Sequence, residues 1–330
     1  MSIKSLMNYT FVSKYARWIP EKKRRETWAE AVDRVKQMML DKYSSHEDVL
    51  EDIEWAYDKM LKKQILGSQR ALQFGGSPIL KHNARIYNCI TSFADRVRFF
   101  QECMYLLLCG CGTGFSVQKH HMDKLPPLVK SKNGTKKFVI PDSIEGWSDA
   151  VGALVSSYFN QSDLFPEYNG KNITFDYSEI RAAGSVLKSS GGKAPGPEPL
   201  KNALSNIKKL LDRALTDLEF CHGSIRKLSP IQAYDIVMHA ADAVISGGVR
   251  RSATICLFSP DDEEMAKAKT GNWFIENPQR GRSNNSALLL RDKTTKKQFS
   301  ELMSSVKDFG EPGFVWSDST ELIVNPCVEI

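Results

Sequence analysis

The chain has 330 residues, 42% of them hydrophobic and 25% charged, and a formal net charge of +6. That length can bury a large core in one or two domains, and the composition is that of a soluble globular protein, not a disordered or membrane-embedded one. No run of about 18 apolar residues could span a bilayer, and the first ten residues lack an apolar signal core. The mild basic excess fits an anionic ligand such as a nucleotide, or a solvated surface, and does not mark a nucleic-acid-binding face.

Seven cysteines (89, 103, 109, 111, 221, 256 and 327) are an odd number in a long chain. They read as thiols kept reduced in a cytoplasmic setting. Cys109-Gly110-Cys111 is too tight for a CxxC redox pair, and no second pair completes a zinc site, so no metal is expected.

In chain order, residues 1–25 read as basic and irregular, with Lys22-Lys23-Arg24-Arg25 as a solvated face. Two amphipathic helices follow. The first carries Trp28, Val32, Val35 and Met39 on one side. The second opens on Ser45 with Asp48 three residues on, and buries Val49, Ile53, Ala56 and Met60. Residues 1–66 thus form a helical lead-in, and 67–330 a second domain. Phe74-Gly75-Gly76 breaks into a loop, Arg85 to Ile90 reads as a strand, and 94–108 as an apolar helix. Gly110 to Val117 is a glycine-rich turn entering a strand. His120 and His121 would point apart in a strand, which argues against a metal pair.

A helix over 143–159 is capped by Ser143, and Ile173 to Asp176 is a strand. The stretch Ser189 to Pro197 is loop-rich, with Lys193 among glycines just before a helix from Pro199 to about Phe220. It reads either as a linker or as a phosphate loop, since a helix N-terminus favours anions. Ser229-Pro230 starts a helix that stops at Gly247-Gly248. Arg250 and Arg251 follow, before a strand from Ala253 to Phe258. Further strands are expected at 286–290 and 313–316, flanking a helix at 295–309. Strands alternating with helices argue for an α/β fold on a parallel sheet.

The chain closes on Asn325-Pro326-Cys327-Val328-Glu329-Ile330. If this segment is extended, Asn325, Cys327 and Glu329 share one face. An amide to orient a hydroxyl, a thiol and a carboxylate to take a proton would then stand together. A buried structural cysteine is the alternative reading.

These six residues resemble the thiyl-radical loop of ribonucleotide reductases. Ala71-Leu72-Gln73-Phe74-Gly75-Gly76 with Arg85-Ile86-Tyr87-Asn88-Cys89 resembles the family's first redox cysteine and its lead-in. Gly247 to Ala253 and Asn277 to Ser286 are similar to further family segments. Together they are most similar to the adenosylcobalamin-dependent triphosphate reductases, from about residue 68 onward.

The resemblance implies the N-terminal half of a ten-stranded α/β barrel whose finger loop, 317–330, threads the centre. It implies Cys327 as the radical residue, Glu329 as the base, Asn325 as a holder of ribose hydroxyls, and Cys89 as one half of a reducing pair. Asn88, Gly112 and Gly114 would contact substrate. Lys119, His120, Lys193, Arg250 and Arg251 would bind a deoxynucleotide effector, in a region of about 117–253. Implied too are a ribonucleoside triphosphate substrate, adenosylcobalamin held mostly outside this chain, thioredoxin or a similar dithiol, and a complementary C-terminal half. The pattern departs from the family in ending three residues past Cys327, before the usual partner of Cys89. Two alternatives stand beside this reading: a regulatory nucleotide-binding fragment, and a large subunit served by a diiron radical partner.

Overall fold

The computed structural model describes residues 2–131, 134–186, 193–216, 226–245 and 253–328. The chain divides into two compact units, Met1–Asn88 and Cys89–Ile330.

The first unit is mainly helical. It holds α1 (Ile3–Lys14), a two-residue pairing of β1 (Trp18–Ile19) with β2 (Arg24–Arg25), α2 (Trp28–Lys42), α3 (Glu47–Leu61), α4 (Gln69–Phe74) and α5 (Ser77–Lys81). Thr27 and Glu30 close a reciprocal capping box that fixes the start of α2. Val32, Val35 and Met38 of α2 pack with Met60, Leu72 and Phe74. Arg34 ties the unit together. It forks onto Glu26 at 2.7 and 2.9 Å and donates to the carbonyls of Leu72 and Gly75.

The second unit is built on a parallel sheet. In chain order it contains β3 (Cys89–Phe93), α6 (Arg98–Leu108), β4 (Gly112–Ser116), α7 (Lys119–Met122), β5 (Thr135–Val139), α8 (Ile144–Ser156) and β6 (Asn172–Asp176). Then come α9 (Glu198–Thr216), α10 (Pro230–Ile245), β7 (Thr254–Phe258), α11 (Glu263–Ala266), α12 (Trp273–Glu276), β8 (Ser283–Leu290), α13 (Lys296–Phe309) and β9 (Gly313–Ser317). Five strands line up in the order β3-β4-β7-β8-β9, every pair parallel. This matches the α/β, parallel-sheet expectation. Every residue of β4 and β7 is buried, as befits central strands of a parallel sheet covered on both faces.

One face of the sheet carries the main core. Phe115, Cys256, Phe258, Ala287 and Leu289 meet α6, α8, α9 and α10 there. The stripe Leu200, Leu204, Ile207 and Leu211 of α9 is wholly buried, and each such side chain contributes about 1.5–3 kcal/mol. Ser229 and Gln232 cap α10 reciprocally. Two ion pairs stitch the far side: Arg280 forks onto Asp235 at 2.8 and 2.6 Å, and Lys269 meets Glu311 at 2.7 Å. β5 and β6 form a separate parallel pair. No described helix is long and apolar enough to cross a membrane.

Several expected elements differ. Residues 3–14 are helical, not irregular; Ser2 caps them by accepting from Ser5 N–H, and the apolar side chains Ile3, Leu6 and Tyr9 stay exposed. Ser45 does not cap α3, whose N-cap is His46 without a side-chain bond. The strand read from Arg85 begins at Cys89, because residues 83–86 wind into a 3-10 turn. β5 had no sequence expectation: its Lys136 and Lys137 hide the alternation. His120 and His121 lie on the helical turn α7, not in a strand.

Candidate active site

The opposite face of the sheet carries a loop instead of helices. Ile255 and Leu257 of β7 point away from the helical core and pack with Val324, Val315 and Ile323. The segment after β9 therefore lies on this face, and its course can be followed residue by residue.

The stem is tied at the C-terminal end of β4. Gln118 Nε2 donates to the Thr320 carbonyl at 2.9 Å. Glu321 meets His120 Nε2 at 2.9 Å and His121 Nε2 at 3.3 Å. Midway, the loop backbone sits on Gly114. A Cβ built there would lie 1.9 Å from the Val324 carbonyl oxygen and 3.1 Å from Asn325 Cα. At the other end, a Cβ on Gly112 would meet Pro326 Cγ at 3.1 Å and Cys89 Sγ at 3.2 Å. The loop runs back along β4, against the strand direction, and two glycines on one face give it room.

Its tip delivers the thiol. Cys327 Sγ lies 3.7 Å from Cys89 Sγ. Cys89 opens β3 beside Gly112 in the parallel register. Cys327 is exposed and Cys89 half-buried. The tip is a turn and not the extended segment expected. Val328 N–H donates to the Asn325 carbonyl at 2.9 Å, and Cys327 N–H donates to Asn325 Oδ1 at 3.0 Å. Asn325 thus shapes the turn that presents the sulfur, a local side-chain cap that competes with extended backbone. The extended backbone on which that shared face rested is therefore absent over Asn325–Val328, and Glu329 lies outside the described residues.

The other cysteines of the described chain are of a different kind. Cys103, Cys109, Cys111 and Cys256 are all buried. Burial pushes the Cys103 thiol up to about 12, so it is not poised to react.

Asn88 is exposed immediately before β3. Lys119 is exposed on α7, its N–H donating to Ser259 Oγ at 3.3 Å. Lys193 is exposed and bridges Val186 in an antiparallel closure. Arg250 and Arg251 lie outside the described residues. Near the start of α9 a cleft of about 260 Å³ is lined by Glu198, Asn202, His239 and Asp242 among others. Burial holds the His239 imidazole below its ordinary range, against the pull of Asp235 and Asp242. What the sequence did not give was the stem anchor, Gln118, His121, Thr320 and Glu321; an adjacent His pair was its only trace.

A parallel α/β sheet that offers a loop thiol to a strand thiol defines a dithiol site carried on half a barrel. Residues 116–211 match the family model of the B12-dependent ribonucleotide reductase insertion domain. The chain is 27% identical over 342 residues to the adenosylcobalamin-dependent ribonucleoside-triphosphate reductase of Euglena gracilis, covering 92% of this chain and 44% of that protein. The corresponding protein of Lactobacillus helveticus is 25% identical, over 93% of this chain and 48% of its own length. A probable reductase of the same name from Dictyostelium discoideum is 34% identical over 186 residues, 55% of this chain and 21% of its own. In fold, the chain matches a crystal structure of a B12-dependent, class II ribonucleotide reductase with a TM-score of 0.78 at 23% identity, covering 95% of this chain and 49% of that one. The chain is thus similar in sequence and fold to B12-dependent ribonucleotide reductases, and it spans about half the length of the relatives it matches.

Proposed function

We propose that this chain forms the N-terminal half of an adenosylcobalamin-dependent ribonucleoside-triphosphate reductase, acting in the cytoplasm. The observation that carries the reading is the 3.7 Å contact between the loop thiol of Cys327 and the strand thiol of Cys89. It favours a catalytic role over that of a purely regulatory fragment.

Cys327 is the radical residue in this reading. Its exposed position at the loop tip is the feature of this chain that fits adenosylcobalamin, which supplies radical chemistry when bound. As a thiyl radical, the Cys327 sulfur takes the hydrogen atom from C3′ of the ribose, forming S–H as C3′–H breaks. S–H and activated C–H bonds are of comparable strength, so this transfer is nearly balanced and reversible. Glu329 accepts the 3′-OH proton and assists water in leaving from C2′. Asn325 fixes the turn and holds the ribose hydroxyls. Cys89 and a second thiol deliver two electrons and two protons and close into a disulfide. Cys327 then returns its hydrogen to C3′. Thioredoxin or a similar dithiol reduces the disulfide between turnovers.

Asn88, Gly112 and Gly114 border the substrate in this reading. Lys119, His120 and Lys193, with Arg250 and Arg251, serve a deoxynucleoside triphosphate effector. In this reading a complementary C-terminal half supplies the second half-barrel, most of the corrin site and the partner of Cys89. Closing the barrel also dries the site, which a thiyl radical requires.

The test is tritium exchange from the 3′ position of substrate, with the chain supplied with the complementary half. Cys327→Ser should abolish exchange and turnover together. Cys89→Ser should block sustained reduction while exchange persists. Exchange that survives Cys327→Ser would remove the radical role from this residue.

A further inference from the structure

We propose that His120, His121 and Glu321 form a binding site for a divalent transition-metal ion of the Zn²⁺ class, placed at the stem of the loop that carries Cys327. One ligand atom from each residue lies within 4.8 Å of the other two. A tetrahedral ion with bonds of about 2.1 Å holds neighbouring ligand atoms roughly 3.4 Å apart. Nε2 of His120 and Nε2 of His121 stand 2.9 and 3.3 Å from the two Glu321 oxygens. Both separations lie within a few tenths of an ångström of that spacing.

Three further observations point the same way. First, α7 turns both rings to one side, with centroids 3.9 Å apart, where a strand would have parted them. Second, His120 Nε2 is buried and has no hydrogen-bond partner despite its 2.9 Å approach to Glu321. A close, misaligned nitrogen and oxygen are what an ion would reconcile. Third, His121 is braced as buried metal ligands usually are. Its Nδ1 meets Ser116 Oγ at 3.0 Å and its ring packs on Phe93 at 4.4 Å. With an ion on Nε2 the imidazole proton sits on Nδ1, and Ser116 Oγ accepts it. That bond replaces one of the two Gln118 bonds the hydroxyl takes at 3.1 and 3.2 Å.

The donor chemistry sets the class of ion. Two imidazoles and one carboxylate suit Zn²⁺, Co²⁺ or Ni²⁺, and select against Mg²⁺ and Ca²⁺, which prefer all-oxygen shells. His121 is 1% exposed, whereas His120 and Glu321 are 38% and 60% exposed. One wall is therefore rigid and the other open, so an ion can enter and water can fill the remaining positions. Lys124, the cation that acts on His121, stands 4.0 Å from Asp95. A bound ion would clamp Glu321, six residues before Cys327, to the end of the sheet. The site does not depend on the reductase reading, and it gives His120 a role other than the effector contact assigned to it there.

The experiment uses the full, untagged chain carrying Cys89→Ser, Cys221→Ser and Cys327→Ser, so that neither the accessible thiols among the described residues nor Cys221, which lies outside them, can capture the probe. Co²⁺ is titrated and followed by its visible d–d bands, with Zn²⁺ and then Mg²⁺ as competitors. We expect one Co²⁺ per chain, displaced by Zn²⁺ and unaffected by millimolar Mg²⁺. His120→Ala and Glu321→Gln, both at accessible positions, should each weaken binding at least tenfold while leaving the circular dichroism melt unchanged. Absence of a visible band with one equivalent of Co²⁺ would overturn the proposal, and so would binding of equal strength in both variants.

Discussion

Gly114→Ala tests whether the strand seats the loop. The added Cβ would stand 1.9 Å from the Val324 carbonyl oxygen and 2.9 Å from its carbon. Both are backbone atoms and cannot rotate away. Restoring an ordinary 3.4 Å contact in place of 1.9 Å requires the loop to lift by about 1.5 Å. If that lift falls wholly along the line between the sulfurs, their separation grows from 3.7 Å to about 5.2 Å. Overpacking of this kind costs about 1–3 kcal/mol, and misplacing two reacting groups by about an ångström slows them roughly ten- to a hundredfold. The assay is oxidation by diamide, with mass spectrometry of the Cys89–Cys327 linked peptide against time and a urea melt in parallel. The buried Cys103, Cys109, Cys111 and Cys256 provide an internal baseline. Wild-type cross-linking and an unchanged urea midpoint in the variant would show that the loop does not rest on β4.

Gly112→Ala should be milder, below about 1 kcal/mol, because its contacts at 3.1 and 3.2 Å are the ends of Pro326 and Cys89 side chains; a urea midpoint as low as that of Gly114→Ala would contradict this. Asp235→Ala strands the Arg280 guanidinium, only 14% exposed, and should cost about 3–5 kcal/mol in a denaturant melt. A loss below about 1 kcal/mol would mean the pair is solvated. His239 has its folded-state pKa lowered by burial, so the unfolded chain binds the proton first as pH falls. Stability should therefore decline on acidification below about pH 6.5. His239→Gln should flatten that slope between pH 6.5 and 5, and an unchanged slope would assign it elsewhere.

The sheet was largely legible from the sequence. Apolar strands at 253–258, 286–290 and 313–316 alternate with helical stripes, and caps at Ser143 and Ser229 mark where helices begin. The sulfur pair was legible only through resemblance. Residues 89 and 327 are 238 positions apart, and nothing local to either predicts the other. The extended backbone expected from Asn325 onward is a turn over Asn325–Val328 for a local reason: an asparagine followed by proline favours a turn, and Asn325 Oδ1 takes the Cys327 N–H; Glu329 lies outside the described residues. The first helix was missed because its apolar residues are not buried in one stripe. The stem anchor was hidden because the His pair meets a glutamate 200 positions away. Gly112 and Gly114 look like any tight turn until the loop that needs their missing side chains is seen.

The mounting of the loop has a mechanical consequence. It is held at Thr320 and Glu321, rests on Gly114 at Val324, and turns at Cys327 beside Cys89. A beam held at its stem and supported near its middle is a lever with its fulcrum on β4. The arm from support to sulfur is three residues, shorter than the four from support to Thr320. A push on the stem therefore reaches the sulfur reduced and reversed in sense. Whatever grips Glu321 tilts the thiol relative to Cys89 without dragging it along the strand, so fine control of a gap of 3.7 Å can be exercised from the far end of the sheet.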